Sequence, residues 1–131
     1  MKVKCNKIIS PTTKRDLGEH SPWLVKGKEY VVLALSLSLG SGLYMFIQSE
    51  HYNEPIFVRF EGFEFTSDKI PSNWITVIKQ NDHNTSCEML PESWAYENFF
   101  EELADEKSEA VKLFIKEAEK INQEEGYTFH L

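Results

Sequence analysis

The chain has 131 residues, of which 41% are hydrophobic and 27% are charged, and its formal net charge is −7 at pH 7. This length suffices for one domain with a hydrophobic core, so we predict a single domain over residues 1–131. Residues 92–125 hold eleven acidic residues and four lysines, whereas residues 1–91 hold ten acidic and ten basic residues. Because phosphates repel such an acidic segment, its charge argues against a nucleic-acid partner and favours a basic one.

Cysteine usage and hydropathy indicate a cytoplasmic protein. The two cysteines, Cys5 and Cys87, are too few for a disulfide framework and lack the paired spacing of zinc sites. The basic N-terminus is not followed by the apolar stretch of a signal peptide. The longest apolar stretch, residues 30–47, is interrupted by serine and glycine and is shorter than the roughly 20 residues of a membrane helix. We therefore expect a reducing, cytoplasmic location and no membrane association.

Residues 3–80 carry the signals of β-strands and turns, and we predict that they form a β-rich body. In residues 33–39 the leucines occupy every second position. This period of two predicts one strand with Leu33, Leu35 and Leu37 on the same buried face.

A predicted hairpin and four further strands complete this body. The glycines of residues 40–42 permit the positive φ angles of a tight turn, so residues 43–48 are predicted to return as the second arm. Residues 81–86 are predicted to form a loop because they are polar. The further strands are predicted at residues 3–8, 56–60, 63–65 and 74–78.

After Pro91 the periodicity changes to that of amphipathic helices. Pro91 is predicted as the first helical residue, and residues 91–124 as an acidic helical segment that packs on the sheet. Their pattern fits either one bent helix or two. The fold class is therefore α+β, with a small, strongly bent antiparallel sheet or barrel followed by C-terminal amphipathic helices. The residues predicted to be mostly buried are Leu33, Leu35, Leu37, Phe46, Phe57, Trp74, Phe99, Leu103, Phe114 and Ile115.

The titratable residues show no spacing typical of a catalytic or metal site. The four histidines lie far apart, in predicted loops or at the C-terminus; they are His20, His51, His83 and His130. No spacing joins them to a carboxylate or to a cysteine as general acid–base catalysis or zinc binding requires. We therefore expect no enzymatic activity, no metal site and no cofactor.

The first predicted helix carries acidic residues without a balancing lysine. These acidic residues are Glu97, Glu101, Glu102, Asp105 and Glu106. Like charges four residues apart destabilise an isolated helix by a few tenths of a kcal/mol, and a helix needing only solubility would include lysines. Trp94 is predicted on the acidic side as an interface anchor. The alternatives are that Trp94 folds back on the sheet and that the carboxylates form only a solvated face.

A polar and aromatic loop at residues 50–54 is a second candidate for partner binding. Loops of this composition often carry binding residues, although many are ordinary surface loops. The candidate residues in this loop are Glu50, His51, Tyr52 and Glu54.

Three segments resemble parts of a known protein family. The stretch LVKGKEYVVL at residues 24–33, FEF at 63–65 and IPSNW at 70–74 resemble bacterial immunity proteins of polymorphic toxin and contact-dependent growth inhibition systems. The resemblance covers roughly residues 24–78 and implies an SH3-like barrel. It also implies a non-enzymatic cytoplasmic protein that neutralises a cognate basic toxin domain, often a nuclease. The alternative is an SH3-like regulatory module that binds a peptide or small molecule and has no toxin partner.

Overall fold

The structure, a computed structural model, describes residues 1–9, 18, 24–48 and 55–126. These ranges contain seven strands, one 3-10 turn and two α-helices, which confirms the predicted α+β class. The elements are β1 (Lys2–Cys5), β2 (Glu29–Ser38), β3 (Gly42–Ile47), β4 (Ile56–Arg59), β5 (Phe63–Ser67), β6 (Trp74–Gln80), β7 (Thr85–Pro91), the 3-10 turn (Glu92–Trp94), α1 (Phe99–Ala104) and α2 (Ser108–Glu124). None of the helices in the described ranges is long and apolar enough to cross a membrane.

The sheet is antiparallel and branches at its longest strand, β2. One edge of β2 pairs with β3, while its other edge pairs with β1 in the first half and with β7 in the second half. The sheet then continues from β3 to β4, from β1 to β5 and from β7 to β6. Within the described ranges it is not closed into a barrel. The four-residue β1 covers only part of the ten-residue β2, so β7 occupies the rest of that edge.

A bulge in β2 separates the predicted row of leucines. The register between β2 and β3 shifts by one residue between Val32 and Ala34, and an extra residue moves later side chains to the other face. Leu33 is fully buried beneath the helices, whereas Leu35 packs against the cluster on the opposite face. Leu37 is 48% exposed near the hairpin turn. The prediction of one buried leucine face is therefore wrong.

The sheet has a hydrophobic cluster on each face. The cluster between sheet and helices includes Leu33, Leu90, Trp94, Phe99, Leu103, Phe114 and Ile121. The cluster on the other face includes Met1, Val3, Cys5, Ile8, Tyr30, Val32, Met45 and Ile47. The other predicted core residues that are only half-buried are Phe46, Trp74 and Ile115. The prediction for Phe57 is wrong because this residue is 54% exposed on the edge strand β4.

The predicted loop at 81–86 is correct only for residues 81–84, and the predicted helix start at Pro91 is wrong. Instead, β7 spans Thr85–Pro91 and pairs with both β2 and β6. Most of its side chains are half-buried on both faces of the sheet. Its sequence therefore does not alternate between apolar and polar residues, as it would in a strand with one face in solvent. Pro91 lies beyond the residues that pair with β2, where a missing N–H interrupts no bond to that strand.

Two carboxylates fix the C-terminal end of α2 to the sheet. Glu125 pairs with the amino group of Met1 and accepts a hydrogen bond from the Ser67 hydroxyl at 2.9 Å. Glu124 accepts hydrogen bonds from the hydroxyl of Ser72 and from its backbone N–H, the latter at 2.8 Å. The predicted helical segment 91–124 therefore contains two separate helices, α1 and α2, which pack against one face of the sheet.

Candidate partner-binding surface

The helix α1 exposes its acidic residues because its apolar side is buried in the core. Phe99 and Leu103 are 0% and 3% exposed beneath the helix. Phe100 stacks on Phe46 of β3, with the ring centroids 4.1 Å apart and the ring planes 8° from parallel. Three apolar contacts within a six-residue helix fix its orientation, so the remaining side of α1 faces solvent.

We call the carboxylates on and beside α1 the acidic surface; they are Glu97, Glu101, Glu102, Asp105 and Glu106. All are exposed except Glu102, which is half-buried. None of the five forms an ion pair with a residue that the structure describes. In α2, by contrast, the Nζ of Lys112 lies 3.6 Å from Glu109 Oε1. The negative charge of α1 is therefore not balanced within the described part of the fold.

The C-terminal end of α1 holds a carboxylate where glycine is the favoured residue. Glu106 adopts a left-handed conformation with φ of +57°. Its N–H donates to the carbonyl of Leu103, and the N–H of Lys107 donates to that of Glu102, both at 3.0 Å. This pair of bonds is a Schellman motif, in which a residue other than glycine costs on the order of 1 kcal/mol.

The preceding residue adds a second unfavourable charge. Asp105 is the C-cap of α1, where a negative side chain opposes the helix dipole by a few tenths of a kcal/mol or more. It also follows Glu101 by four residues, a like-charge spacing that destabilises helices. Local folding energetics therefore disfavour the charges that α1 carries at its end.

Trp94 does not belong to the acidic surface. It is 1% exposed, and its ring stacks on Phe99 and on Phe114 at centroid distances of 5.4 Å each. Its Nε1–H donates to the carbonyl of Leu113 at 3.0 Å. Because residues 92–94 form a 3-10 turn rather than α-helix, Trp94 turns inward. The prediction of an exposed anchor is wrong, and the alternative that Trp94 folds back into the protein is the one that the structure shows.

Tyr96 occupies the place beside the carboxylates that was predicted for Trp94. It is 43% exposed, and its hydroxyl donates to Glu102 Oε2 at 2.7 Å. This hydrogen bond raises the pKa of the Tyr96 hydroxyl above its ordinary value. A helix extended back from Phe99 would place Tyr96 on the same face as Phe99 and Leu103, but α1 begins only at Phe99. The available signal was its chemistry, since tyrosine favours boundaries with one apolar and one wet end.

A partly exposed group of aromatic side chains on β3 and β4 adjoins α1. The ring of Phe57 stacks on Tyr44 with a centroid distance of 5.1 Å and contacts Phe46 with a centroid distance of 4.8 Å. Phe46 in turn stacks on Phe100 of α1. The guanidinium of Arg59 lies 5.2 Å from the centre of the Tyr44 ring. We call Tyr44, Phe46 and Phe57 the aromatic edge. It connects β3 and β4 to the acidic helix.

The other predicted site residues are either undescribed or isolated. The loop candidates Glu50, His51, Tyr52 and Glu54 lie outside the described residues, as do His20 and His130. His83 is exposed in the β6–β7 turn, where its backbone N–H donates to Asn81 Oδ1 at 2.9 Å. Within the described ranges, no three His, Cys, Asp or Glu side chains are grouped so that they could hold a metal ion.

No protein family, curated protein or solved structure matches this chain. A functional assignment therefore depends on the geometry and charge of its surfaces, together with the resemblance of the quoted motifs in residues 24–78. Of these surfaces, the acidic surface, which lies beside the aromatic residues, contains the residues that most clearly oppose local folding preferences.

Proposed function

We propose that this protein is a non-enzymatic cytoplasmic immunity protein that binds and neutralises a basic toxin domain, such as a nuclease. The acidic surface carries this proposal, because α1 places unpaired carboxylates where neutral residues or glycine would be more stable. Departures from local folding rules tend to occur at functional sites. The resemblance of the quoted motifs in residues 24–78 to immunity proteins supports the same assignment.

The acidic surface and the aromatic edge complement a basic domain in two ways. Carboxylates attract lysine and arginine clusters over several ångströms, which speeds association and weakens as salt screens the charges. Exposed aromatic rings such as Tyr96 and Phe57 provide rigid contact area on which arginine side chains stack. A nuclease that binds phosphates through basic residues presents the chemistry that this combination fits.

The decisive experiment reverses the charge of α1 and measures binding to a toxin domain encoded beside the gene of this protein, which the proposal predicts. The variant carries Glu97→Lys, Glu101→Lys and Asp105→Lys together. Because all three side chains are exposed, circular dichroism and thermal melting are expected to show a folded protein. We expect the association rate at low salt to fall by about tenfold or more, its salt dependence to weaken, and cell protection to be lost.

A dispersed triple variant controls for the change in total charge. Glu64→Lys, Asp68→Lys and Asp82→Lys alter the net charge by the same amount at exposed positions outside both helices. We expect this control to retain protection. If the α1 variant is folded and still binds and protects like the wild type, the acidic surface is only a solvated face. A neighbouring gene that encodes no toxin would also count against the proposal.

A further inference from the structure

The strand β6 is a long edge strand with uninterrupted pairing on one side. All seven of its residues pair with β7, from Trp74 opposite Pro91 to Gln80 opposite Thr85, without a register shift. In the part of the chain that the structure describes, no strand pairs with its other edge. Such an edge presents unpaired backbone N–H and C=O groups to any strand that approaches.

The other edge strands have protective features that β6 lacks. β4 has only four residues, and β5 has five and meets β1 with a register shift. Short length, charge and bulges are devices that discourage pairing between sheet edges. The only charged side chain of β6 is Lys79, whose Nζ lies 3.1 Å from Glu88 Oε1 on β7. The edge is therefore long, rich in β-forming residues and nearly neutral.

A partly exposed apolar row also ends at β6, on the sheet face opposite the helices. Cross-strand pairing aligns Ile78 with Cys87, Cys87 with Leu37 and Leu37 with Leu43. Ile78 is 70% exposed and Leu37 is 48% exposed. Because cross-strand neighbours on one face contact each other, a strand added beside β6 would extend this row and cover Ile78.

We propose that two copies of this chain pair through their β6 strands, antiparallel, to form one sheet across a dimer. An antiparallel pair around a two-fold axis at Val77 places each Lys79 opposite Ile75 of the other copy, so the lysines do not face each other. Ile78 then lies opposite Thr76. Lys79 is already paired with Glu88, so the edge of β6 is nearly neutral. The neutral β6 strand of a second copy therefore matches this edge in charge.

The position of α1 is compatible with this dimer. α1 packs on β3 through the Phe46–Phe100 stack, and β2 and β7 lie between β3 and β6. The acidic surfaces of two paired copies therefore remain apart and exposed. Pairing through β6 avoids the repulsion that would oppose contact between two acidic helices, and it is independent of any toxin partner.

Sedimentation equilibrium across a wide concentration range tests the proposal on the protein alone. The chain mass is 15.3 kDa, and we expect the wild-type mass to rise toward twice this value with concentration. Ile78→Lys places a second lysine on each edge near the two-fold axis, so we expect the dissociation constant to rise about tenfold or more. Ile70→Lys is the matched control, because Ile70 is 57% exposed but precedes β6, and it should dimerise like the wild type.

Hydrogen exchange of the β6 amides provides a second readout that needs no substitution. Pairing predicts slower exchange in β6 at high protein concentration, while exchange in β4 stays unchanged. A wild-type protein that remains monomeric at every concentration overturns the proposal, as does an Ile78→Lys protein that dimerises as tightly as the wild type. If β6 becomes protected only when the toxin domain is added, the edge binds a partner strand and the dimer is wrong.

Discussion

Replacing Glu106 with glycine should stabilise the protein, although it removes a whole side chain. Glu106 holds the left-handed position of the Schellman motif with φ of +57°, which costs a non-glycine residue about 1–2 kcal/mol. Glycine avoids this cost but gives the unfolded chain more conformational freedom, which offsets about 0.4–1 kcal/mol. Compared with Glu106→Ala, which also removes the charge, Glu106→Gly should be more stable by roughly 0.5–1 kcal/mol.

Thermal and urea unfolding of the two variants measure this difference directly. With an unfolding entropy of about 2.1 cal/mol/K per residue, the expected gain corresponds to a Tm roughly 2–4 °C higher for Glu106→Gly than for Glu106→Ala. Glu101 is the matched control because it lies within α1. There glycine should be less stable than alanine by about 1 kcal/mol. If glycine is also the less stable residue at position 106, the strain argument for this carboxylate is refuted.

Two further predictions concern the core and the C-terminal tether. Phe114→Ala should destabilise the protein by about 3–5 kcal/mol in urea unfolding, because this fully buried ring stacks on Trp94; a loss below about 1 kcal/mol would show that the core collapses around the site. Glu125→Gln should cost about 1.5–3 kcal/mol near neutral pH, since it removes the charged partner of the Met1 amino group. Burial raises the pKa of Glu125, but hydrogen bonds from that amino group and from Ser67 outweigh burial and leave the pKa lowered, and bonds from Ser72 lower the pKa of Glu124. Because the pKa of Glu125 is lowered in the folded state, this stability is present above the ordinary value of 4.5 and is lost as the pH falls below it. Glu125→Gln should therefore make the stability in urea unfolding less sensitive to acid. An unchanged dependence of stability on pH would contradict the role of Glu125 as a tether.

The predicted elements succeeded where one local signal dominated. The turn at residues 40–42 connects β2 to β3, with Gly42 at a positive φ of 101°, as the glycine pattern predicts. The division into strands and helices was also readable, because period two gives way to helical periodicity. β7 was missed because its half-buried residues show no alternation. Pro91 looked like a helix start, but it ends this strand.

The candidate site was predictable in its charge but not in its aromatic residues. The acidic side chains of α1 are exposed because their neighbours Phe99 and Leu103 are strongly apolar, and helical periodicity alone separates the two groups. The positions of Trp94 and Tyr96 depend on a 3-10 turn and a non-helical step before α1. Extrapolating one helix through this region assigned both residues to the wrong side.

The sequence by itself determined the α+β class, the hairpin turn and the concentration of negative charge in one helical segment. These features depend on residue type and on spacing over a few positions, so they need no knowledge of distant contacts. Only the tertiary structure decided the bulge in β2, the branching of the sheet and the exposure of β6. Each of these depends on which strand lies beside which, and strand pairing joins residues far apart in the chain. A one-residue shift in such pairing moves every later side chain of a strand to the other face, which is why the leucines of one regular pattern lie in different environments.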